Sequence, residues 1–133
     1  MSDKPIKKDL ITGEWLKKAK DDELNAASIL RHRDGTPNGV CFLSHQMAEK
    51  CLKAFLVQEK KEYPKIHSLL KLTELCAKID KSFVEIKDEV IFLNTFYAPV
   101  RYPGDYPEFS WQEAEEAFKM AEQIRDFVLS KLK

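Results

Sequence analysis

The sequence predicts an all-α fold, an up-and-down bundle of about five helices in one domain spanning residues 1–133, and three observations carry that expectation. Apolar residues recur near every 3.6 positions in successive segments along the chain. Only 4 glycines occur in 133 residues, too few for the frequent tight turns of a sheet protein. Charged residues make up 33% of the chain and apolar residues 44%, a balance that clothes long helices around one ordinary core.

The first helix is expected from about Thr12, a candidate N-cap, to Arg33, after a flexible stretch over residues 1–11. Trp15, Ala19, Asp22, Ala26, Ile29 and Arg33 fall within about 40° of one line at about 100° per residue. The run Asp34-Gly35-Thr36-Pro37-Asn38-Gly39 ends it. The second helix is expected from Val40 to Lys60. Its apolar residues, among them Val40, Leu43, Met47, Cys51, Leu52 and Phe55, cover over half the circumference and mark it as central. Its remaining face carries Gln46, Glu49, Lys50 and Lys53, interrupted by Phe42 and Val57, a mixture that points to a partner covering it. Tyr63-Pro64 breaks the chain before a third helix over Ile66–Ile79, and a fourth runs from Phe83 to about Tyr97. Three prolines exclude a helix between Ala98 and Phe109. Ser110-Trp111-Gln112-Glu113 has the spacing of a capping box and opens the last helix.

The charge balance narrows the function. Lys plus Arg and Asp plus Glu each total 22, so the basic excess of a non-specific nucleic-acid coat is absent and any such contact must be local. The charged N-terminus is not a signal peptide, and no stretch reaches the roughly 18 uncharged apolar residues of a membrane span. Cys41 and Cys51 on one helix would stand about 15 Å apart along its axis, too far to bridge. No C-x-x-C occurs to anchor zinc, and with Cys76 the three cysteines read as buried thiols of a cytoplasmic protein. Neither cofactor nor metal is expected.

The candidate chemistry concentrates in a few residues. The segment Pro99–Phe109 packs three prolines, three aromatics and Arg101 between two helices. Proline reduces the freedom of such a loop, and an arginine beside Tyr102 and Tyr106 suits recognition of a phosphate and a base. The same segment also reads as a rigid crossover whose tyrosines fill the bundle's end. Asp22 lies on the apolar stripe of the first helix and needs a partner, with Lys50, Lys53, Arg101 or a backbone amide as candidates. Glu49 and Lys53 have the spacing of an exposed helical pair. His45 and Glu49, four apart, have half a metal site's spacing, but no second pair completes it, and a core histidine is the simpler reading. His67 opens the third helix, where bonding to a neighbouring backbone group competes with a role in a site.

Three segments together resemble the HEPN family (higher eukaryotes and prokaryotes nucleotide-binding). The first is Trp15, Ala19, Asp22 and Ala26 in a W-x3-A-x2-D-x3-A arrangement. The second runs from Cys41 to Ala54, resembles the phrase Q-x-A-E-K-x-L-K-A, and is followed by His67-Ser68-Leu69. The third, Leu93-Asn94 through Arg101-Tyr102-Pro103, resembles L-N-x-x-Y-x-x-x-R-Y-P.

The resemblance implies a helical bundle similar to nucleotidyltransferase substrate-binding subunits, commonly a homodimer. It implies a minimal nucleotidyltransferase as partner in a module of the toxin–antitoxin kind, with nucleotide or RNA as ligand. On that reading Arg101, Tyr102, Tyr106, Asp22, Lys53 and His67 are the candidate binding residues, and Phe42, Gln46, Glu49, Lys50 and Val57 the candidate partner interface. The family's metal-independent ribonucleases use an R-x4-6-H motif. Here Arg101 matches the arginine, but Tyr106, Pro107 and Glu108 stand where the histidine belongs. A ribonuclease would therefore need Tyr106 or Glu108 as its base. The cation of such a site is present and its histidine is not, so the expected role is binding more than catalysis.

Overall fold

The computed structural model describes residues 8–96 and 107–133. Its elements are α1 (Lys8–His32), α2 (Pro37–Lys60), α3 (Leu69–Ile79), a 3-10 segment (Lys81–Ile86), α4 (Lys87–Asn94) and α5 (Trp111–Lys131). Every regular element among the described residues is helical, as the periodicity requires. No helix among them is long and apolar enough to cross a membrane.

The helix ends differ from the sequence expectation for local reasons. α1 begins at Lys8, so Thr12 is not its cap. Thr12 sits inside the helix, buried, with its hydroxyl 3.5 Å from the Ala54 carbonyl of α2. α1 closes on Arg33, which takes the left-handed conformation at φ 56° and returns its amide to the Ile29 carbonyl at 2.7 Å. The breaker run supplies the next start rather than only a stop. Thr36 caps α2 by accepting the Gly39 amide at 3.0 Å, and Pro37 fills the first turn, where no amide is needed. α3 starts at Leu69 instead of Ile66, because Ser68 accepts the Lys71 amide and Asn94 accepts the Leu69 amide at 3.1 Å. The expected fourth helix is split, with Asp80 capping the 3-10 segment through Ser82. The Ser110–Glu113 capping box is complete in both directions at 3.0 and 2.9 Å.

α2 is the axis of the bundle, with fifteen of its residues buried. α5 runs beside it in the same direction. Asn38 near the start of α2 bonds Pro107 and Phe109 just before α5, and Gln58 near its end accepts the Lys133 amide at 3.1 Å. The two helices approach on small residues. Cys41, Ser44, Ala48 and Cys51 on α2, and Ala114, Ala117 and Ala121 on α5, repeat at steps of three and four and are fully buried. α1 lies antiparallel on the same pair, tied to α5 by Glu23–Arg125 and by Arg33–Glu115 at 2.7 Å. Burial raises the pKa of Glu23, but the hydrogen bonds and charges of Arg125 and Lys20 outweigh it, so the carboxyl stays below its usual range. Phe55, Phe83 and Phe127 stack in series at 4.5 and 5.1 Å between centroids and join α2 to the 3-10 segment and α5.

The small-residue seam gives a direct test. Ala121→Leu adds volume where no gap exists and is expected to lower stability by about 1–3 kcal/mol. Urea unfolding should show this as a lower midpoint with an unchanged slope.

Candidate functional site

α2 is covered on nearly every side, so its polar residues are drawn inside with it. Glu49 is 4% exposed and Lys53 is 3% exposed, one helical turn apart. The Lys53 Nζ donates to Glu49 Oε2 at 2.8 Å. The spacing that suggested a solvated pair is therefore met by a buried one. α1 brings the Trp15 ring to 5.5 Å from Nζ, and the segment after α2 brings the Tyr63 ring to 5.7 Å. The two rings meet edge-on at 4.8 Å, so the ammonium is closed in by aromatic faces and one carboxylate.

The same carboxylate holds a third residue. His67 Nδ1 lies 3.0 Å from Glu49 Oε2, while the imidazole keeps 58% of its side-chain surface exposed. Glu49 Oε1 is buried without a hydrogen bond and faces His45 Nδ1 at 3.9 Å. His45 is 1% exposed, and burial pushes its pKa down to about 4, with Glu49 opposing and His67 assisting the shift. Among the described residues no group of three His, Cys, Asp or Glu side chains is placed to hold a metal ion. Burial also raises the thiols of Cys41, Cys51 and Cys76 to about 12, which removes them as nucleophiles near neutral pH.

The remaining candidates separate. Of the partners open to Asp22, the structure supplies Lys50, with Nζ 2.7 Å from Oδ2. Phe42 is 56% exposed, and Gln46 and Lys50 are partly exposed. Val57 at 1% and Glu49 at 4% lie inside the monomer, which corrects their place on a face covered by another molecule. α1 and the segment over residues 61–68 cover that side of α2 instead. Glu108 is exposed between Pro107 and Phe109, both held by the Asn38 side chain at 2.9 and 2.8 Å. Arg101, Tyr102 and Tyr106 lie outside the described residues. Sequence reasoning missed Tyr63 and Asn38. Tyr63 read only as part of a break, and Asn38 as one more breaker.

The all-helical fold agrees with comparison to known proteins. A model of the HEPN domain matches residues 12–132. The chain belongs to the HEPN family. Among solved structures it is similar to ST0689, an archaeal HEPN homologue, at 27% identity and TM-score 0.71, covering 92% of this chain and 98% of that one. It is also similar to TT1696 from Thermus thermophilus, at 29% identity and TM-score 0.76, covering 91% and 98% respectively. No curated protein matches at a significant level. Within this HEPN fold Glu49, Lys53 and His67 form one hydrogen-bonded polar cluster.

Two outcomes follow from this geometry. Glu49→Ala strands a buried ammonium and is expected to cost about 3–5 kcal/mol, whereas Glu49→Leu combined with Lys53→Met removes both charges and costs less. Urea denaturation of the two variants separates these results. His45 sets an acid limit. The unfolded imidazole ionises near about 6.5 and the folded one at about 4. Stability from this residue is full above the higher value and is lost as pH falls through the window between them. His45→Gln is expected to flatten that fall by up to about 1.4 kcal/mol per pH unit, read from unfolding curves at several pH values.

Proposed function

We propose that this HEPN domain is a binding protein for a nucleotide or an RNA end. The observation that carries the reading is the assembly of Lys53 and His67, 14 residues apart, on one Glu49 oxygen. It fixes an exposed imidazole against α2, in the segment that also carries Tyr63, 41% exposed. A hydrogen-bonding head with a nearby ring face suits a phosphate and a base without any overall positive charge. On sequence grounds Arg101 would hold phosphate, with Tyr102 and Tyr106 lining the site and Asp22 acting through Lys50.

The wider proposal is a cytoplasmic homodimer that works with a minimal nucleotidyltransferase in a toxin–antitoxin-like module. Phe42, Gln46 and Lys50 remain as the surface of α2 for such contacts. Gel filtration with light scattering is expected to give a dimer, and a monomer alone would remove that part. Ligand binding has its own test. A ligand that binds only the native state must raise the melting temperature. Millimolar ATP or a short RNA is expected to do so for the wild type and less for His67→Ala. Absence of any shift across both ligands would sink the binding reading.

A further inference from the structure

Beyond the end of α2 lies a cleft that the polar cluster does not use. Lys61 takes the left-handed conformation at φ 62° and returns its amide to the Val57 carbonyl at 2.8 Å, which ends the helix. Residues 62–64 then border a cleft of about 390 Å³ whose other walls come from α2 and α3. That volume is within the range of small-molecule sites. Its lining is largely apolar. Leu56 is 3% exposed, Leu75 is half-buried, and Pro64 and the Tyr63 ring add to the same surface. The Tyr63 ring is itself held by Trp15 at 4.8 Å, so that wall is fixed. The charges of the cleft come from two helices. Lys60 stands in the last turn of α2 and Lys78 in the last turn of α3, both exposed. Neither ammonium group makes an ion pair or hydrogen bond with another described residue, and Glu62, the acid among the lining residues, leaves both unpaired. Positive charge in a last turn complements the carbonyl end of its own helix. That accounts for each lysine separately, but not for their meeting on one apolar cleft.

We propose that this cleft binds a small monocarboxylate with an apolar body, its carboxylate held by Lys60 and Lys78 and its body laid over Leu56, Leu75 and Pro64 beside the Tyr63 ring. The inference goes beyond the nucleotide reading above and does not use His67. Charge selects the head group. Two lysines against one glutamate leave a single net positive charge, which a carboxylate balances and a nucleoside polyphosphate would exceed. No arginine lines the cleft to grip a phosphate through two parallel hydrogen bonds. The body is selected by the same lining. Neither asparagine nor glutamine is there to read the edge of a base, whereas the leucines and the proline suit hydrocarbon.

The experiment titrates sodium octanoate into the isotope-labelled full chain and follows backbone amide shifts by NMR. Acetate supplies the head without the body, and ATP the competing ligand class. Lys60→Gln with Lys78→Gln removes the charges at two exposed positions where the fold does not depend on them. Expected is one saturable curve at Leu56, Tyr63, Leu75 and Lys78, with a dissociation constant of about 1 mM, as roughly ten non-hydrogen atoms provide. Acetate, which forgoes the burial of six methylenes, should bind at least about 10-fold more weakly. The double variant should lose about 10-fold for octanoate while its amides elsewhere keep their positions. Octanoate that gives no saturable shift, that saturates at the cleft between Leu16 and Leu129 instead, or that binds the double variant equally well overturns the inference. ATP that saturates the same four amides at lower concentration than octanoate overturns the assignment of the ligand as a monocarboxylate. The His67 reading stands or falls by its own melting-temperature test.

Discussion

The enclosure of α2 is the constraint on which the rest of the structure depends. A helix buried on nearly every side must satisfy its own polar groups, because water does not reach them. Glu49 and Lys53 do so within one turn, and the Trp15 and Tyr63 rings complete the shell around the ammonium. Desolvation makes such a pair a poor source of net stability, while loss of either member is costly. Its value lies in rigidity: a carboxylate fixed on the bundle's axis can hold an imidazole at the surface.

Enclosure is made possible by small residues. Alanine, serine and cysteine along the α2–α5 seam let two parallel helices approach closely, and α1 then fits across both. The close seam leaves no room for a large polar side chain, so the polar cluster lies on the other side, under α1 and the 61–68 segment. Segment 61–68 cannot be helical through Pro64 and is pinned by side chains instead, through Tyr63 on Lys53 and His67 on Glu49. The polar cluster therefore both closes the core and positions the surface group. Asn38 plays a comparable part at the opposite end of α2, where one side chain bonds both Pro107 and Phe109.

Much of the fold was legible along the chain. Periodicity located all five α-helices, and the Ser110–Glu113 spacing located a capping box, because both depend on residues within one or two turns. The errors were at ends, where a competing local bond decided. Ser68 and Asn94 moved the start of α3, and Pro37 served as a first-turn residue rather than a stop.

The sequence by itself determined an all-helical HEPN chain, the central rank of α2 and the need of Asp22 for a partner. Only the tertiary structure decided that Glu49 and Lys53 are buried, that Val57 faces the interior, and that His67 meets Glu49 across 18 positions. The physical reason is that a spacing of four specifies which side chains are neighbours on a helix, whereas the solvation of that face depends on what packs over it. For α2 that cover comes from α1 and from a segment beyond its own end, and neither is encoded within the helix.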